Sequence, residues 1–267
     1  MINRNMNRFL ATLALLLLPL SAAAQVTTLE RQIPDAARLD IVDGGSTGSI
    51  GLRVRLAPGW KFYWRTPGEG GVPPQFDWSG SRNLKSARIA WPAPHRITIG
   101  DADLFGYVNE VVLPISVTPQ KAGGDVDLVL RAEYGVCKDI CVLREDHLRY
   151  RAAAHPPANP EGAALLAAWR ARVPQPAATA GVALVSRSAT KGHLTIVLSS
   201  RQPLRKPDLL VEGTPDAWFG RPAVTLSDGG RHAAFVLPVT PAKAGEAALT
   251  LTLLDGERAA ELKAAKP

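Results

Sequence analysis

At 267 residues and a formal charge of +7, the chain has room for one large domain or two of ordinary size. Its basic residues are scattered, and no Lys/Arg block is interleaved with aromatics, which excludes a nucleic-acid-binding surface and reads as a solvated basic one. Its two cysteines, Cys137 and Cys141, have no second Cys/His pair at finger spacing, which excludes a four-ligand zinc site.

The N-terminus reads as an export signal. Arg4 and Arg8 precede the apolar run from Phe9 to Leu20, and Ala22-Ala23-Ala24 before Gln25 has the small-x-small pattern of a signal-peptidase site. The run is 12 residues, too short for the roughly 20 that a spanning helix needs. No later segment is long and apolar enough to span. The expectation is a signal peptide at 1–24 and a mature protein exported to a periplasm. Removing Arg4 and Arg8 lowers the formal charge from +7 to +5, and both methionines, Met1 and Met6, leave with the signal.

The mature chain then reads as short strands between turn signals. Ile50, Leu52, Val54 and Leu56 alternate up to the turn at Ala57-Pro58-Gly59. Pro67 to Pro74, PGEGGVPP, is predicted as a loop, because its prolines and glycines suit neither a helix nor a central strand. Val111 to Val117 is a further strand. From Val126 the apolar residues Leu128, Leu130, Ala132, Tyr134 and Val136 follow at every second position, the period that puts them on one sheet face.

The pattern changes at Pro156. His155 to Pro160 is a linker, and Glu161 to Val173 is the one convincing helix, with Asn159 as its cap and Pro160 at its first position. A second linker, Pro174 to Gly181, leads to strands at Val182–Ser186, His193–Ser199, Ala233–Val239 and Ala247–Leu254. The predicted fold is all-β: two immunoglobulin-like β-sandwich domains, 25–155 and 179–267, joined by a short helical linker at 156–178. An internal match supports related halves. Val117-Thr-Pro-Gln-Lys-Ala-Gly123 recurs as Val239-Thr-Pro-Ala-Lys-Ala-Gly245, each copy shortly after a Leu-Pro pair. The second half holds no cysteine, so thiol chemistry belongs to the first.

That chemistry rests on Tyr134-Gly-Val-Cys137-Lys-Asp-Ile-Cys141-Val-Leu143. If Lys138 to Ile140 form a hairpin loop, the cysteines stand opposite each other on antiparallel strands. Their Cα atoms are then about 4.5–5.5 Å apart, within reach of a disulfide. The alternatives are a structural staple and a redox-active pair. A ring this small removes only about 2 kcal/mol of unfolded-chain entropy, against roughly 4 for a loop of many tens of residues. That favours redox activity. The five histidines are dispersed and read as surface or linker positions. Glu69 lies in a glycine-rich loop without the ending of a phosphate-binding motif. Trp60, Tyr63, Trp64, Trp78 and Trp91 read as core packing.

Several motifs together resemble a known family. They are Gly59-Trp-Lys-Phe-Tyr-Trp64, Pro67-Gly-Glu-Gly-Gly, Pro73-Pro74, Asp77-Trp78, Trp91-Pro-Ala-Pro94, Phe105-Gly-Tyr107 and the cysteine segment. Over about residues 40–152 the chain resembles the periplasmic N-terminal domain of the thiol:disulfide interchange reductase DsbD, in particular the ScsB copper-sensitivity suppressor branch. The resemblance implies an immunoglobulin-like domain that transfers electrons by thiol–disulfide exchange. Its partners would be an integral-membrane thiol reductase of DsbD/CcdA type and periplasmic thioredoxin-like proteins, with no cofactor. It places Cys137 and Cys141 at the active cysteines. It makes 101–106, including Asp103, Leu104 and Phe105, a cap loop over the pair, and it sets Phe62 and Trp64 beside the site. The sequence departs from the family in the closer spacing of its cysteines, in Leu143 where a proline often follows, and in lacking transmembrane and thioredoxin-like modules. Two other functions use the same features. A copper-binding or copper-tolerance protein would employ the soft thiolates, and an interaction module would keep the disulfide as a staple.

Overall fold

The computed structural model describes residues 36–266; the predicted signal and its cleavage site lie outside the described residues. The first half forms β1 (Ala37–Ser46), β2 (Ser49–Leu56), β3 (Lys61–Gly68), β4 (Gln75–Asp77), β5 (Leu84–Ile89), β6 (His95–Ile99), β7 (Ala102–Val108), β8 (Glu110–Pro119), β9 (Val126–Cys137) and β10 (Cys141–Ala152). One sheet runs β1-β2-β8-β5 and the other β10-β9-β3-β7-β6, with β4 paired to β9. The period-two stretch acts as the sequence predicts. Val126, Leu128, Leu130, Ala132, Tyr134 and Val136 are all buried, one face of β9 facing the core. Leu52, Val54, Val111, Leu113 and Ile115 of the opposite sheet are buried as well. Such a two-layer core is what an antiparallel pair of half-apolar sheets requires.

The helix α1 (Pro160–Arg170) starts where its signals put it, with Asn159 Oδ1 accepting from the Gly162 amide at 3.0 Å. It is more than a tether. Leu166 is buried, and its methyls lie where a Cβ on Gly44 or Gly51 would sit. Asn159 Nδ2 donates to the Asp43 carbonyl at 3.0 Å. The linker therefore docks on the outer face of the first sheet through a side chain that only glycine neighbours admit. The predicted second linker is also built into the fold. β11 (Gln175–Pro176) pairs in parallel with the last strand, and Ala177–Ala180 make one helical turn, α2.

The second half forms β12 (Val182–Thr190), β13 (His193–Ser200), β14 (Pro207–Glu212), β15 (Trp218–Phe219), β16 (Ala223–Ser227), β17 (His232–Thr240), β18 (Leu249–Asp255) and β19 (Arg258–Ala264). Its sheets run β11-β19-β18-β14 and β12-β13-β17-β15, with β16 also on β17. The matched heptapeptides close equivalent strands. β8 follows β1-β2 and leads into the hairpin β9–β10, while β17 follows β12-β13 and leads into the hairpin β18–β19. At the turn of the second hairpin Asp255 pairs in register with Arg258 and forms an ion pair with it. That is where the first hairpin carries its cysteines.

Candidate functional site

Cys137 ends β9 and Cys141 begins β10, directly opposite in register, with Cα atoms 4.1 Å apart and a disulfide between them. The three-residue turn closes by the Lys138 amide donating to the Ile140 carbonyl at 3.1 Å. The bridge is unsymmetrical in its surroundings. Cys137 is 6% exposed, whereas Cys141 is exposed, as are Lys138, Asp139 and Ile140 around it. Of the two bridged cysteines, Cys141 is therefore the one open to solvent.

Register explains what covers Cys137. The residue pairs with Lys61 on β3, so Lys61, Tyr63 and Cys137 share the outer face of the sheet, while Phe62 pairs with Val136 on the inner face. Tyr63, Leu104 and Cys137 pack as one small apolar cluster, with Ile97 against it. Tyr63 also reaches the second sulfur, its hydroxyl 3.3 Å from Cys141 Sγ. A bridged sulfur carries no proton, so the phenol donates. Burial pushes the Tyr63 phenol above its ordinary value, which keeps that donor protonated.

The positions implied by the family resemblance divide accordingly. Phe62 and Trp64 are fully buried on the inner face, where Phe62 stacks on Tyr107 at 6.4 Å and meets Tyr134 edge-on at 5.6 Å. They support the site from beneath and do not flank the sulfurs. The segment 101–106 is a strand with its turn: Ala102–Val108 pairs with β6 and β3. Alternation puts Leu104 on the cysteine face and Phe105 on the other, beneath the Arg96 guanidinium at 4.9 Å. Asp103 is buried and held by Arg96, Arg221 and Thr98. These hydrogen bonds, that from Arg221 foremost, pull its carboxyl down to about 2.

The glycine-rich loop is a second cover. A Cβ on Gly71 would lie 3.0 Å from the Tyr63 ring, and one on Gly135 would lie 3.2 Å from Val72. Gly68, at φ +81°, pairs with Leu104 so closely that a Cβ would meet the Asp103 carbonyl at 2.3 Å. The loop's glycines thus serve close approach over Tyr63. Sequence reasoning passed over Tyr63 as one core aromatic among several. Parity finds it only once the register is known: it lies two residues from Lys61, the position opposite Cys137. Leu143, 67% exposed, and Val72 and Ile140 leave an apolar rim beside Cys141.

The histidines stay apart. His95, His147, His155 and His193 are exposed and His232 is half-buried. Among the described residues, no three His, Cys, Asp or Glu side chains converge as metal ligands would. No helix of the described residues is long and apolar enough to cross a membrane.

Comparison with known proteins agrees with this geometry. Residues 31–151 match the family model "Thiol:disulfide interchange protein DsbD, N-terminal", and residues 172–266 match a domain of unknown function (DUF8393). No curated protein sequence matches the chain. Among solved structures, the chain is similar to the N-terminal periplasmic domain of ScsB from Proteus mirabilis, at 26% identity and a TM-score of 0.70. That alignment covers 87% of this chain and 95% of the other, which is more than either sandwich alone.

Proposed function

From a chain that carries a DsbD N-terminal-like domain, in a two-sandwich frame similar to that of ScsB, we propose a periplasmic thiol–disulfide exchange protein. It relays reducing equivalents from a membrane thiol reductase to thioredoxin-like proteins. The observation that carries the reading is the asymmetry of the bridge, one cysteine exposed and its neighbour buried.

The reduced Cys141 thiolate attacks one sulfur of the partner disulfide, and the partner's other sulfur leaves as a thiolate. The resulting mixed disulfide is then attacked at Cys141 Sγ by the Cys137 thiolate, which releases the partner's second thiolate. Two thiols of this chain are oxidised to one disulfide, and one partner disulfide is reduced to two thiols. The membrane reductase restores the pair by the same steps reversed. The Tyr63 hydroxyl, donating to Cys141, favours its thiolate in the reduced state. The turn holds Cys137 next to Cys141, so resolution is intramolecular.

The single-cysteine variants test this. Cys137→Ser keeps the exposed sulfur and should trap a mixed disulfide with a thioredoxin-like protein. Cys141→Ser keeps the covered one and should trap it far more slowly. The wild-type reduced protein should turn over a partner disulfide in metal-free buffer. Equal trapping by both variants, or no turnover combined with stoichiometric Cu(I) binding at the pair, would count against exchange.

A further inference from the structure

The second sandwich has no cysteine, yet its charged side chains grip the elements that cover Cys137. Arg96, on β6 beside Ile97, sends Nε and Nη2 to the two oxygens of Asp208 at 2.7 and 2.8 Å, and Nη1 to Asp103 at 2.9 Å. From the other sandwich Arg221 reaches back, its Nε 2.8 Å from Asp103 Oδ2 and its Nη2 2.6 Å from Thr98 Oγ1. Asp103 is thus a buried carboxylate shared by one arginine from each sandwich. Its own carbonyl accepts from the Glu69 amide at 2.9 Å, at the start of the glycine-rich loop. The base of that loop is pinned too. Arg65 donates to Glu212 at 2.9 and 2.6 Å and also pairs with Glu261, and Thr66 Oγ1 donates to Glu212 at 2.7 Å.

We propose that Arg221 and Asp208 are positioning residues of the exchange site: they lock the β6–β7 hairpin so that Leu104 stays closed over Cys137. The physical link is the strand itself. The side chains of Asp103 and Leu104 leave opposite faces of β7. A buried, charge-assisted hold on Asp103 fixes the height of the strand, and with it the pressure of Leu104 on the sulfur. Without that hold the hairpin keeps its strand pairing to β3 but gains freedom at its tip, where Ile99 and Asp101 are exposed. Access to the resolving sulfur is then set by the domain that has no sulfur of its own.

This inference deepens the exchange reading, but its test needs no partner, so the two can fail separately. The full chain is reduced chemically, and alkylation of Cys137 and of Cys141 by a small maleimide is followed residue by residue. Arg221→Ala should speed Cys137 about tenfold, the effect of losing one charged hydrogen-bonded contact from a local opening equilibrium, and leave Cys141 near its wild-type rate. Arg221→Lys, which restores the charge, should fall between. Arg53→Ala removes an ion pair with Glu110 elsewhere in the first sandwich and should change neither rate. Should Arg221→Ala fail to fold, Asp208→Asn carries the same expectation. A folded variant that alkylates Cys137 at the wild-type rate overturns the lock, as does an equal acceleration of both cysteines.

Discussion

The Tyr63 hydroxyl lies 3.3 Å from Cys141 Sγ, while its ring packs with Cys137 in one cluster, so one side chain from β3 touches both halves of the disulfide. It lines one sulfur with apolar surface and gives the other a hydrogen bond.

Tyr63→Phe keeps the ring and removes only the donor. In the reduced protein the Cys141 thiolate then loses a hydrogen bond that stabilises its charged form, and its alkylation should need a higher pH. The pH dependence of Cys141 alkylation reads this directly. An unchanged pH dependence would mean that the contact belongs to the oxidised state alone.

Leu104 and Phe105 are adjacent, but the strand sends them to opposite faces. Phe105→Ala should cost about 3–5 kcal/mol, as a large core deletion does, without singling out the thiols. Leu104→Ala should cost less and should raise the alkylation rate of reduced Cys137. Denaturant titration and thiol kinetics on the two variants separate cover from core. Thiol exposure by Phe105→Ala at unchanged stability would reverse the assignment.

Asp103 makes stability depend on acid. Its folded-state value, about 2, is depressed from 3.8 by Arg221 first and Arg96 and Thr98 with it. The stabilisation is present above about pH 4, where the unfolded group is ionised, and is lost as pH falls through 2. It is worth about 2 kcal/mol. Asp103→Asn should be less stable at neutral pH and show a flatter stability profile between pH 4 and 2. A parallel profile in the variant would mean that Asp103 does not carry the dependence.

Leu166 tests whether α1 is a tether or part of the fold. Leu166→Ala should lower stability by about 2–4 kcal/mol, the cost of emptying a buried leucine site. An exposed linker position would change it by under about 0.5. Chemical denaturation at constant slope gives the answer.

Local pattern carried much of this protein. Strand β2 follows from the alternation of Ile50 to Leu56, and β9 from that of Val126 to Val136. The start of α1 follows from Asn159 and Pro160, and the facing cysteines from a three-residue gap between two strands. Each is decided by neighbours a few residues apart, through backbone geometry that short segments already possess. What covers the sulfurs is decided otherwise. That Tyr63 and not Phe62 or Trp64 meets Cys141 depends on the register of β3 against β9, where a shift of one residue would exchange the faces. That 101–106 forms a strand depends on β3 and β6 supplying its hydrogen bonds. Asp103 is buried with Arg96 and Thr98 beside it and with Arg221, 118 positions away. A buried carboxylate needs charged partners to offset its lost hydration, and only the tertiary structure brings a partner from the other sandwich.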